Sequence, residues 1–195
     1  MNMRLEVLNS GYGLATRVLF AFVRMVSGHA TPDAARLVFY RPDFYGSRMK
    51  ELTHHVMRGA SSWSVADREL MAAYVSTVNQ SAFCIGAHTA TASLAYKDPA
   101  AVAAVLSDIE SAPIDEKLRA TLRMLGKLER EHSVAESDMR ALLEMGVSKR
   151  QIEDALAVCF AFDVTNRLAD AFGFELLSSE GFAAGAKVLL SRGYR

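Results

Sequence analysis

The sequence predicts an all-α domain, and three observations carry that prediction. The chain is rich in the strong helix formers Ala, Leu, Met, Arg and Glu. Its four prolines all fall at borders between apolar-periodic segments. No stretch shows the strict apolar–polar alternation of a half-buried strand. Helices are expected at about 3–27, 32–40, 44–58, 65–79, 82–96, 99–109, 114–131, 137–145, 149–172 and 179–191.

Each element has its own signals. The first contains an apolar run from Leu14 to Val26, but Arg17 and Arg24 interrupt it. It is also shorter than the ~20 apolar residues a spanning helix needs. No small-residue cleavage site follows it, so it reads as an amphipathic surface or interface helix rather than a signal peptide. Thr31-Pro32 and Asp98-Pro99 each have the form of an N-cap followed by a first-turn proline. Arg41-Pro42 breaks the helix after Tyr40, because a residue preceding proline avoids the helical conformation. Ser64-Val65-Ala66-Asp67 has the form of a capping box, and Ser148-Lys149-Arg150-Gln151 repeats the signal. Pro113 is expected to open the helix ending near Glu131, and Gly173 to close the long helix before it.

A chain of 195 residues is most simply one domain with one core. Lys plus Arg equals Asp plus Glu at 22 each, which argues against a dedicated nucleic-acid surface. Two cysteines far apart in sequence do not make a disulfide framework. With no export or membrane signal, the expected location is the cytoplasm.

Chemistry concentrates between Arg68 and Thr91, where Glu69, Cys84 and His88 lie on two successive helices. If the chain turns near Asn79–Ser81, Glu69 lies ~15 Å down one helix and His88 ~10 Å down the next, at similar heights. Cys84 and His88, four apart, share a helix face. A carboxylate can orient an imidazole, and the imidazole can take a thiol proton. Cys84 is expected in the first turn of its helix, where the dipole favours thiolate. Gly86 and Ala87 leave room for a substrate or for close helix packing. The bland readings are a cysteine acting as a small hydrophobe and a structural histidine. Glu69, Cys84 and His88 are also three conceivable zinc ligands, but no paired-ligand motif supports a metal site. Cys159, in the apolar run V-C-F-A-F, reads as core, and His29 and His132 fall at helix borders.

Arg68, Glu69, Val75, Ser76, Asn79, Phe83, Cys84 and His88 resemble, in register, the motif of the alkylhydroperoxidase D-like group of the carboxymuconolactone decarboxylase superfamily. That motif is Glu-x11-Cys-x2-Cys-x3-His. The segments Tyr40–Gly46, Lys117–Ala120 and Val164–Leu176 resemble its peroxidase-related branch. The resemblance covers about residues 35–177, leaving 1–34 as an N-terminal helical extension and 178–195 as a final helix. It implies a single-domain helical bundle with Glu69, Cys84 and His88 as catalytic residues and no cofactor. It also implies a homo-oligomer, a trimer or a dimer-based hexamer, with no nucleic-acid or membrane partner.

One position departs from the motif. Ser81 stands where the first cysteine belongs, so the resolving-cysteine position is vacant and an internal disulfide cycle is closed. The resemblance then implies a peroxidase-like antioxidant enzyme whose Cys84 thiolate reduces a small-molecule hydroperoxide, with an external thiol reductant resolving the sulfenic acid. The alternatives are proton transfer on a small organic acid or lactone, with Glu69 and His88 as acid and base, and a catalytically degenerate member.

Overall fold

The order of the helices follows from where the chain supplies caps. The structure, a computed structural model, describes residues 7–41 and 43–194, with Ser27 by its backbone only. Ten α-helices and a single 3-10 turn, and no strand, are present among the described residues. They are α1 (Leu14–Ser27), α2 (Asp33–Tyr40), α3 (Gly46–Arg58), α4 (Val65–Val78), α5 (Ala82–Tyr96), α6 (Pro99–Ser107), α7 (Glu116–Glu131), α8 (Glu136–Glu144), α9 (Lys149–Phe172) and α10 (Ser179–Arg192).

Both expected capping boxes form. The Ser64 hydroxyl accepts from the Asp67 N–H at 3.0 Å, and Asp67 Oδ2 accepts from the Ser64 N–H at 2.9 Å. Ser148 and Gln151 make the same exchange ahead of α9. Asp98 caps α6 through the Ala101 N–H, with Pro99 in the first turn.

Several boundaries differ from expectation for physical reasons. The first helix begins at Leu14 rather than residue 3. A 3-10 turn, Val7–Asn9, precedes it, and Gly11 at φ +84° breaks the path between them. The expected residues 3–6 lie outside those described, as does Pro42. Pro32, not Thr31, is the residue before the first turn of α2. The Thr31 hydroxyl makes no cap, and Asp33 instead accepts from the Glu175 N–H at 2.9 Å. Helix α7 starts three residues after Pro113, because Asp115 caps it through the Lys117 and Leu118 N–H groups. Arg119 holds the preceding loop in a non-helical path by donating to the carbonyls of Ile109, Glu110 and Ala112.

Helix α4 is the centre of the bundle. Every residue from Arg68 to Ser76 is buried, so the middle of the helix has no solvent face. It packs on α5, α9, α7, α6 and α3. Its residues Leu70, Met71, Ala72 and Val75 meet Leu118, Leu122, Leu125, Val158 and Phe162 in the larger core cluster. The spacing of Leu118, Leu122 and Leu125 places them on one face of α7. Polar side chains of α4 also tie it to its neighbours. Arg68 Nη1 donates to the carbonyls of Val56 and Gly59, and Ser76 Oγ donates to Asn166 Oδ1 on α9 at 2.9 Å.

Helices α4 and α5 form the expected antiparallel hairpin. Gln80 takes a left-handed conformation at φ +58°, and the Ser81 N–H reaches back to the Ser76 carbonyl at 3.0 Å. Helix α10 packs along α5, where a Cβ at Gly86 would meet the Phe182 ring at 2.6 Å. Close packing, not substrate space, therefore explains Gly86. No helix among the described residues is long and apolar enough to cross a membrane.

Because the Ser64–Asp67 box fixes the start of the central helix, Ser64→Ala should lower stability by about 1 kcal/mol. Urea unfolding monitored by far-ultraviolet circular dichroism would measure this as a lower midpoint with an unchanged slope.

Candidate functional site

Glu69 enters the second turn of α4 with no access to solvent, and its charge has to be satisfied by protein groups. Three donors do so. His88 Nδ1, on α5, lies 2.7 Å from Glu69 Oε2. Arg58 Nη2, in the last turn of α3, lies 2.6 Å from Oε1. The Tyr194 hydroxyl, just after α10, donates to the same Oε1 at 3.0 Å. The pairing of Glu69 with His88 is the one expected from the hairpin arithmetic. A carboxylate only accepts, so Nδ1 carries a proton and Nε2 is the nitrogen left for further chemistry.

The electrostatics follow from these contacts. Burial alone would raise the Glu69 pKa. The His88 hydrogen bond and charge, together with the Arg58 charge and hydrogen bond, overcome that and hold it below the usual value of 4.5. Tyr194 is pushed well above the ordinary tyrosine value by burial and by the Glu69 charge, so its hydroxyl stays a donor. Aromatic contacts complete the enclosure. The His88 ring meets Phe162 edge-on with centroids 4.3 Å apart, and it lies nearly parallel to Tyr194 at 6.4 Å. The Arg58 guanidinium sits over the Tyr194 ring at 5.1 Å.

Cys84 behaves differently from expectation. It does lie in the first turn of α5, but it is 1% exposed within a second apolar cluster with Leu8, Leu37, Phe83, Ala169 and Phe174. Burial pushes its thiol up to about 12; a hydrogen bond with Ser81 opposes this, and the Asp170 charge adds to it. The expected dipole-favoured thiolate is therefore corrected. Desolvation outweighs a helix terminus, which contributes only ~0.3–1 kcal/mol at most sites. No hydrogen bond joins Cys84 to His88 among the described residues.

Ser81, the vacant cysteine position, is fully buried and donates to Asp170 Oδ1 at 3.0 Å. Glu69, Cys84 and His88 are all buried, with His88 only 5% exposed. No group of three His, Cys, Asp or Glu side chains converges as a metal site among the described residues. Cys159 is in the core as expected, with its thiol donating to Glu129 Oε1 at 2.7 Å. His132 is exposed at the end of α7, and His29 is half-buried.

Comparison with known proteins agrees with this architecture. The Carboxymuconolactone decarboxylase family model matches residues 43–127. An uncharacterized peroxidase-related protein from Silicibacter sp. TM1040 superposes with a TM-score of 0.75 at 23% identity, covering 89% of this chain and 91% of that one. The alkylhydroperoxidase AhpD core of an uncharacterized peroxidase-related protein from Ralstonia eutropha JMP134 superposes with a TM-score of 0.73 at 26% identity, covering 90% and 91%. Residues 43–127 thus match the Carboxymuconolactone decarboxylase family, and the fold is that of the alkylhydroperoxidase D-like, peroxidase-related proteins. No protein of curated function matches the sequence significantly.

Within the superfamily match, Glu69 and His88 are the motif residues that the structure brings into direct contact. Arg58 and Tyr194 were not singled out by the sequence. Arg58 carries no motif spacing, and Tyr194 lies outside both the match and the segment that resembles the family. Its only sequence signal is the preceding glycine. Gly193 adopts φ +68°, and a Cβ there would strike the His54 ring at 2.6 Å. That close approach lets the Tyr194 N–H donate to His54 Nδ1 at 3.2 Å.

Removing one partner of a buried ion pair leaves the other charge uncompensated, so Arg58→Ala should cost roughly 3–5 kcal/mol at neutral pH. The folded-state pKa of Glu69 is depressed, so the stability it contributes is complete above about 4.5 and is lost as pH falls through the folded value. The gap between wild type and Arg58→Ala should therefore shrink below about pH 4.5. Denaturant unfolding across pH 3–7 measures it.

Proposed function

We propose that the chain is a proton-transfer enzyme acting on a small organic acid or lactone, with the Glu69–His88 pair as its acid–base centre. The 2.7 Å contact between Glu69 Oε2 and His88 Nδ1 carries this reading. The carboxylate fixes the tautomer and stabilises the imidazolium that forms when Nε2 takes a proton from substrate. Arg58 and Tyr194 keep Glu69 ionised and oriented while the imidazole changes charge. The superfamily includes decarboxylases by name, which agrees with chemistry next to a carbonyl group.

A second reading is supported by a separate observation. Cys84 stands one turn before His88 on α5, and two similar structures are called peroxidase-related. In this reading the Cys84 thiolate reduces a hydroperoxide, and an external thiol resolves the product. Its difficulty is quantitative. A thiol with a pKa of about 12 is ionised in only ~1 molecule in 10⁵ at pH 7.

One experiment separates the two. Small β-keto acids, 2-hydroxy acids and lactones are incubated with the protein in D₂O, and deuterium incorporation next to the carbonyl is followed by NMR. Exchange should persist in Cys84→Ser and fall at least ~100-fold in Glu69→Gln and His88→Gln. Peroxide treatment followed by mass spectrometry is run in parallel. Rapid oxidation at Cys84, with no exchange on any compound, would replace the first reading with the second.

We further propose that the protein works as a homo-oligomer through α1. Leu14 (78% exposed), Val18 (59%) and Phe22 (56%) recur every fourth residue, with Met25 and Val26 extending the stripe. The helix is anchored to its own chain by Phe20, whose ring meets Tyr12 and Phe39. A contiguous apolar patch of this kind is characteristic of an interaction surface. Light scattering should give a mass of at least two chains at micromolar concentration, and Val18→Asp with Phe22→Asp should reduce it toward one.

A further inference from the structure

Beside the Glu69–His88 pair, the second carboxylate oxygen of Glu69 is taken by a tyrosine side chain. Tyr194 donates its hydroxyl to Glu69 Oε1, its ring lies nearly parallel to the His88 imidazole, and Arg58 covers it with a guanidinium. A residue needed only to fill an apolar hole would not use a hydroxyl. Here the hydroxyl meets a fully buried carboxylate, and the ring faces the two cationic or polar planes that recognise aromatic systems.

This tyrosine sits beyond the end of α10, which stops at Arg192. Gly193 turns the chain at φ +68° with its N–H on the Leu189 carbonyl, and the Tyr194 N–H donates to His54 Nδ1. Displacing the Tyr194 side chain would break its Glu69 hydrogen bond and its ring contacts, while the Glu69–His88 and Glu69–Arg58 contacts do not run through it. A molecule that reproduces the hydroxyl and the ring would restore the interactions with Glu69, Arg58 and His88.

We infer that the space under Tyr194 is a binding site for phenols, and that Tyr194 is its internal occupant in the closed state. The ligand class is a hydroxyaryl group whose hydroxyl donates to Glu69 Oε1 and whose ring lies between Arg58 and His88. The site rests on the proton-transfer reading only in taking Glu69 and His88 as its chemical centre. Binding itself needs no turnover.

The test uses p-cresol, with toluene as the matched compound lacking the hydroxyl. Affinities are measured by ligand-observed NMR for wild type, Tyr194→Ala and Tyr194→Phe. Tyr194→Ala should bind p-cresol at least tenfold more tightly than wild type, because no internal phenol competes. It should also prefer p-cresol over toluene by roughly tenfold or more, since a hydrogen bond to a charged group discriminates on that scale. Tyr194→Phe keeps the ring in place and loses only the Glu69 bond, so it should fall between the other two. Glu69→Gln in the Tyr194→Ala background should reduce the preference for the hydroxyl.

Equal affinity of Tyr194→Ala for p-cresol and toluene would reduce the site to an apolar cavity and overturn the inference. So would the absence of binding in a Tyr194→Ala protein that retains the wild-type circular dichroism spectrum. If Tyr194→Ala does not fold, wild type and Tyr194→Phe decide the matter. Preferential p-cresol binding by Tyr194→Phe supports the site, and equal or absent binding by both proteins overturns it. Phenol binding without deuterium exchange on any organic acid would leave this site standing and remove the proton-transfer reading instead.

Discussion

A single buried carboxylate organises this molecule. Glu69 sits in the fully buried stretch of α4, and its ionised form requires donors that the helix itself cannot supply. They come from the end of α3, the middle of α5 and the turn beyond α10. Those segments are far apart in sequence, so satisfying one charge fixes three packing relationships together. Arg58 adds to this by donating also to the Leu189 carbonyl, which ties α3 to α10. A fold that failed to bring these elements together would leave a charge in an apolar core, and that cost selects against misregistered bundles.

The thiol and the imidazole of α5 share a helix but live in different environments. His88 faces Glu69 and Phe162 in the main body of the bundle. Cys84, one turn earlier, packs with Phe83 and Phe174 in a smaller cluster that also holds Leu8 and Leu37 from the N-terminal part of the chain. Helical spacing of four places two residues on one side, but it does not make them partners. What surrounds each side chain decides its ionisation, and here the surroundings are a carboxylate for one and aromatic rings for the other.

How much of this was legible in the sequence depends on the range of each interaction. Ser64, Asp98 and Ser148 announce their helices because a cap is satisfied within three residues. The Glu69–His88 contact was also readable, because one short hairpin sets the height of both. Loop paths such as 109–115 were not, since Arg119 gathers carbonyls from a strip whose conformation no local signal specifies. The desolvation of Cys84 needed Leu8, Leu37 and Phe174, brought in from distant helices and loops. Tyr194 was invisible for the same reason. Its role is defined by Arg58 and Glu69, more than a hundred residues earlier.

The hydroxyl of Ser81 has a consequence for the thiol of Cys84. It is fully buried and donates to Asp170. A cysteine placed there would trade a good oxygen donor for a weak sulfur one and bring a second thiol up to the same carboxylate. Asp170 already disfavours thiolate at Cys84, and it would act on the newcomer in the same direction. Ser81 and Asp170 are therefore a coupled pair beside Cys84: a change at either one alters the polarity around that thiol.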